Sequence, residues 1–172
     1  MKDYVNLSDL SKLKKKKRIN SRTKGNAFER KISGLLNEHY KTTEFCRTPG
    51  SGAFATTHKL PDHLKVSGDL ITPLNYPYVI ECKKGYKFTV SDLLNNKSDF
   101  ISIIEKVDKE SKSCNKEFLL IFQQDRQNIY CVLRLNNKSL IATNEYCVNI
   151  NNQYLITSLE VFLTLIQPTL AS

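Results

Sequence analysis

Apolar residues recur along the chain in two rhythms. In Gly25–Tyr40, Phe28, Ile32, Leu35, Leu36 and Tyr40 follow a spacing of three and four, which predicts an amphipathic helix with Asn26 as N-cap. Residues 42–48 read as a short strand, and residues 49–68, carrying Pro49, Gly50, Gly52 and Pro61, as a long loop. Residues 68–73 and 76–83 read as two strands joined by a turn near Pro73–Asn75, predicting a hairpin. Residues 91–111 read as a helix with Ser91 as cap candidate. Strands follow at 117–125 and 128–135, with weaker ones at 145–150 and 153–157. A closing helix over 157–166 has Thr157 and Glu160 placed as a capping box. Helices alternating with strands around a mixed central sheet give an α/β domain.

One strand breaks its pattern. Tyr78–Ile80 are apolar, and then come Glu81, Cys82, Lys83 and Lys84. Side chains alternate between the faces of a strand, so Ile80 and Cys82 point into a core while Val79, Glu81 and Lys83 share the other face. If the hairpin forms, Asp69 on the preceding strand comes close to Glu81. Two carboxylates held together repel unless a cation lies between them. Hard oxygen donors without histidine favour Mg²⁺, with Mn²⁺ as substitute. A lysine beside such an ion orients or activates a water and stabilises a pentavalent phosphate. The blander alternative is an exposed salt bridge between Glu81 and Lys83 or Lys84, which is common and worth little.

Charge changes the picture further. The 172 residues carry a net charge of +9, and residues 1–24 alone hold nine Lys or Arg against two Asp. Residues 1–22 therefore read as a basic arm, with Lys15, Lys16, Lys17 and Arg18 at its centre, ahead of a domain spanning 23–172. Such an arm suits a polyanion, and the blander alternative is a disordered, solvated tail. No apolar run approaches the ~20 residues needed to span a bilayer, and the first residues are too polar for a secretion signal, so a soluble cytoplasmic protein is expected. The five cysteines contain no CxxC pair and are read as reduced thiols.

Gly68-Asp69, then eleven residues, then Glu81-Cys82-Lys83 resembles the PD-(D/E)XK nuclease superfamily, with Gly68 standing where a proline usually precedes the aspartate. Lys24–Leu36 is similar to the first helix of archaeal-type Holliday junction resolvases, with their Gly-x-x-x-Glu-Arg signature, and Phe45–Phe54 is similar to their next strand and Ser-Gly loop. The resemblance implies a restriction-endonuclease-like core. It places Glu29, Asp69, Glu81 and Lys83 in the active site, with Arg30, Arg47 and Ser51 in DNA contact or catalysis. Asp69, Glu81 and the Cys82 carbonyl become the metal ligands, and Lys84 joins the DNA-binding set. Glu29 also has a reading of its own. One residue after Phe28, it lies about 100° around the helix from the buried stripe, at the edge of the core face.

These features predict a Mg²⁺-dependent endodeoxyribonuclease that cuts branched DNA, four-way junctions foremost, as a homodimer. The dimer contacts are expected on the apolar C-terminal elements. Cleavage of duplex or flap DNA, or DNA binding by an inactive nuclease site, are the alternatives. The abundance of Lys, Asn and Ile suggests an AT-rich genome such as that of a phage or mobile element.

Overall fold

The computed structural model describes residues 20–49, 67–85, 91, 95, 98–135, 148–150 and 153–165. Helix α1 (Ser21–Tyr40) begins earlier than its apolar periodicity predicts. Its N-cap is Asn20, whose side-chain oxygen accepts from the Arg22 N–H at 3.1 Å. The polar residues 21–26 continue the helix ahead of its buried stripe, and periodicity cannot register a turn that buries little. Asn26 lies inside the helix, and the division between arm and domain expected at residue 22 falls in its first turn. Phe28, Ile32 and Leu36 form the buried stripe, and Lys41 closes the helix in the left-handed conformation.

Strands β1 (Cys46–Arg47) and β2 (Leu70–Ile71) pair antiparallel as a two-stranded sheet. The main sheet is mixed and five-stranded, in the order β3-β4-β5-β7-β6. It comprises β3 (Tyr78–Lys84), β4 (Glu117–Gln123), β5 (Ile129–Arg134), β6 (Val148–Ile150) and β7 (Tyr154–Ser158). β3 and β4 run parallel, as a crossover through α2 (Ser98–Ser113) requires, and the other pairings are antiparallel. Helix α3 (Leu159–Leu165) closes the described chain. Its cap is Ser158, whose Oγ accepts from the Val161 N–H at 3.1 Å; Thr157, expected in that role, is buried in β7.

The sheet is covered on both faces, so β4 reads as an unbroken apolar run, Phe118–Phe122. Ile80, Cys82, Leu119, Ile121, Cys131 and Leu133 pack against α1 and α3. Phe118, Leu120, Phe122, Val132 and Ile156 pack against Phe100, Ile104 and Val107 of α2. The apolar surplus of β4, β5 and α3, expected to mark a dimer contact, is instead consumed by this core: Leu120, Val132 and Phe162 are all fully buried. The result is the α/β restriction-endonuclease-like core, a mixed sheet between helical layers.

The expected hairpin does not form as a ladder. β2 pairs with β1, and only Asp69 reaches the outer edge of β3, its N–H donating to the Ile80 carbonyl at 2.8 Å. The Thr48 N–H in turn donates to the Asp69 carbonyl at 2.9 Å, so Asp69 links the small sheet to β3 by hydrogen bonds, while Leu70 and Phe45 pack into the same core as Ile80. Asn37 of α1 clamps the start of β1. Its side chain donates to the Phe45 carbonyl at 2.8 Å and accepts from the Phe45 N–H at 2.9 Å.

Candidate active site

The site is built at the C-terminal end of β3, on the edge strand. Lys83 sits on the same face as Glu81, and its ammonium donates to Glu81 Oε1. The same ammonium lies 3.9 Å from Asp69 Oδ2. Asp69 is held from both ends: its backbone by Ile80, and its Oδ2 by the Cys82 N–H at 2.8 Å. The N–H and C=O of one strand residue face the same edge, so the Cys82 carbonyl also looks toward Asp69. The Cys82 thiol points the other way, into the core.

This arrangement depends on Gly68. Its φ is +84°, and a Cβ there would lie 2.5 Å from the Ile80 carbonyl oxygen. A proline, fixed near φ −65°, could not occupy the position. The departure from the superfamily pattern thus has a local cause: the chain turns in the left-handed region to lay Asp69 against β3.

The pair of Glu81 and Lys83 is not an exposed strand-end bridge. The Glu81 side chain is only 11% exposed and Lys83 29%. Burial, and then the neighbouring Asp69 charge, push the Glu81 carboxyl above its usual range against the opposing pull of Lys83. Burial draws the Lys83 ammonium down, but Glu81 and then Asp69 outweigh it, leaving its pKa raised. The Cys82 thiol is pushed well up by burial and then by Asp69, Glu29 and Glu81, which marks it as an inert core thiol rather than a ligand. Breaking a buried charge pair by removing one partner costs roughly 3–5 kcal/mol. Asp69 and Glu81, 13% and 11% exposed, would therefore make an unfavourable pair without a cation, a place the Lys83 ammonium holds here.

Glu29 is buried on α1, and its Oε2 accepts from Arg47 Nε at 2.5 Å. Arg47 Nη2 also donates to Asn26 Oδ1 at 3.0 Å. Glu29 thus reaches the neighbourhood of Cys82 but stands apart from the Asp69–Glu81 pair, engaged by a guanidinium. Among the described residues, no group of three or more His, Cys, Asp or Glu side chains is close enough to hold a metal ion. Asp69, Glu81 and the Cys82 carbonyl would offer two carboxylates and one backbone carbonyl, a set that would suit Mg²⁺, which keeps several waters, better than zinc.

The remaining candidates are distributed as follows. Lys84 lies on the opposite face from Lys83; its ammonium bonds Gln123 Oε1 at 3.2 Å and sits 5.6 Å from the Phe28 ring centroid. Arg30 is exposed on α1. Ser51, Lys15, Lys16, Lys17 and Arg18 lie outside the described residues. Cys46, Cys82, Cys114 and Cys131 are free thiols. Asn26, read as a helix cap, is instead the residue that orients Arg47. Gln123, which holds Lys84, carries no signal in the sequence because its partner is 39 residues away.

The chain matches the model of one protein family over residues 20–169; that family is described as phage putative PDDEXK endonuclease. Neither the curated proteins nor the solved structures returned a match. No helix among the described residues is long and apolar enough to cross a membrane.

Proposed function

The chain belongs to the phage PDDEXK endonuclease family, and from that premise we propose a divalent-metal-dependent endodeoxyribonuclease that cuts branched DNA, four-way junctions foremost. The observation that carries the reading is the Lys83 ammonium set beside Glu81 and Asp69 at the end of an edge strand. A core salt bridge needs one carboxylate, and a pure DNA binder has no use for two beside a phosphate. Here the fold spends a left-handed glycine and a backbone clip on bringing the second one in.

Asp69, Glu81 and the Cys82 carbonyl would hold Mg²⁺ or Mn²⁺. When bound, the ion supplies Lewis-acid neutralisation of the phosphate and lowers the pKa of water. Lys83 orients the attacking water and stabilises charge on the pentavalent phosphorus. Arg47, fixed by Glu29 and Asn26, keeps further guanidinium donors for a neighbouring phosphate. Water adds to phosphorus and the 3′ oxygen leaves, giving 5′-phosphate and 3′-hydroxyl ends.

Junction preference rests on the α1 resemblance together with the burial of Glu29 beside β1. A resolvase makes two symmetric cuts, so it acts as a C2 homodimer. With the apolar faces of β4, β5 and α3 spent on the core, its contacts fall on other surfaces. As a phage-type enzyme it would work in the cytoplasm of the host cell.

The test compares labelled four-way junction with linear duplex of the same sequence, in Mg²⁺ and in EDTA. Cleavage in Mg²⁺ alone with paired nicks on opposed junction strands supports the full reading. Equal digestion of duplex by a monomer removes the junction preference and leaves the nuclease. No Mg²⁺-dependent cleavage of any DNA removes both.

A further inference from the structure

Lys83 has a second place in this site. We infer that its ammonium is a built-in competitor for the divalent ion: it fills the gap between Asp69 and Glu81 until the ion arrives and must leave for the ion to bind. Loading the ion and releasing Lys83 toward the reacting phosphate are then one event. The inference rests on the metal-dependent nuclease reading and adds how that site is regulated.

Three features carry it. The first is occupancy. The ammonium bonds Glu81 Oε1 and lies 3.9 Å from Asp69 Oδ2, so it stands beside the oxygens that would ligate the ion. Asp69 Oδ2 already accepts from the Cys82 N–H, which leaves Asp69 little freedom to swing toward an ion placed elsewhere. The second is charge. Two carboxylates and one ammonium leave a single net negative charge; a divalent ion added on top would put two cations in contact on the same oxygens. The third is mobility. The carboxylates are fixed, 13% and 11% exposed, while Lys83 is 29% exposed on a flexible four-carbon stem. Lys83 is the member of the trio with a way out.

The consequence for turnover is an ordering. Without the ion, Lys83 is committed to the carboxylates and cannot serve a phosphate. With the ion in place, the same ammonium is released within reach of the scissile group.

The experiment measures Mn²⁺ binding to the full chain without DNA, at pH 8.5, by loss of the free-ion EPR signal. Lys83→Met removes the competitor and should bind Mn²⁺ about tenfold or more tightly than wild type. Lys83→Arg keeps a cation and should stay within about threefold of wild type. Asp69→Asn should abolish the binding, which places the ion at this site. Lys83→Gln is smaller and polar, guards against a folding failure of the methionine variant, and should also tighten binding. Asp69-dependent binding that is unchanged or weaker in both Lys83→Met and Lys83→Gln overturns the competitor and leaves the metal site standing. Absence of Asp69-dependent binding in wild type overturns the metal site and the competitor together.

Discussion

Replacing Gly68 with alanine should disable the enzyme without unfolding it. The added Cβ would lie 2.5 Å from the Ile80 carbonyl oxygen and 3.0 Å from Val79 Cγ1, and the first of these is backbone that cannot rotate away. Restoring ordinary contact requires a shift of roughly 0.5–0.9 Å. Holding alanine at φ +84° adds about 1–2 kcal/mol of backbone strain. The shift also stretches two bonds: the one from the Asp69 N–H to Ile80, worth about 1 kcal/mol, and the charge-assisted one from the Cys82 N–H to the Asp69 carboxylate, worth about 1.5–3 kcal/mol. With partial relaxation the loss is about 3 kcal/mol, which a domain of 5–15 kcal/mol survives. The carboxylate, however, is displaced by most of an ångström, and a misplacement of that size costs about a hundredfold in rate. Urea denaturation should show a lowered midpoint with an unchanged slope. Single-turnover cleavage should fall at least about fiftyfold, while DNA affinity measured in EDTA stays near wild type. A variant that cleaves within threefold of wild type with an unshifted urea midpoint would refute the role assigned to this glycine.

Asp69→Asn or Glu81→Gln should abolish cleavage and leave DNA binding intact or tighter, because each removes a ligand charge and also a repulsion of phosphate; Mg²⁺-dependent cleavage by either purified variant argues against the assignment. Deleting residues 1–18 keeps the Asn20 cap and should weaken DNA binding and flatten its dependence on salt; an unchanged slope of log K against log salt shows the arm to be a bystander. Asp108 is pushed up by partial burial, but its bonds from Lys112 (2.6 Å) and Arg134 win and hold it below the usual carboxylate range. Its contribution to stability is therefore present above the unfolded pKa near 3.8 and is lost as pH falls through the lower folded value. Asp108→Asn should destabilise the protein at pH 7 and converge with wild type in urea titrations below about pH 3; an unchanged gap across that range contradicts the pairing.

Periodicity was enough to locate β3 and to divide its faces, because two-residue alternation is imposed by the backbone and does not depend on neighbours. It also located the body of α2, although that helix starts at Ser98 and not at the expected Ser91, a turn at Asn95 intervening, and it located the buried run of β4. The partner of Asp69 was less legible. Adjacent strands with a turn between them ordinarily pair, but here β2 is recruited by β1, and nothing local to residues 68–83 reports a competitor more than twenty residues upstream. Asn26 shows the same blindness at smaller scale. An asparagine near a helix start has two uses, capping the helix or bonding across to another element, and the choice was made by Arg47. Gly68 was visible as a departure from a pattern, but its reason, the nearness of the Ile80 carbonyl, is a tertiary fact. Residues whose role is set by their own backbone could be read; those whose role is set by a distant partner could not.

The edge position of β3 has a consequence for solubility. A strand of Tyr-Val-Ile with an open row of N–H and C=O groups is a template for pairing with another chain, and many proteins cover such edges or place lysines on them. Here the row is covered by Asp69, which takes both the Ile80 carbonyl and the Cys82 N–H, and it ends in Lys83 and Lys84. The groups proposed for the active site are also the groups that keep this edge from adding a strand. Loss of the Asp69 clip would thus leave a protein that is inactive and, at high concentration, prone to strand-to-strand assembly.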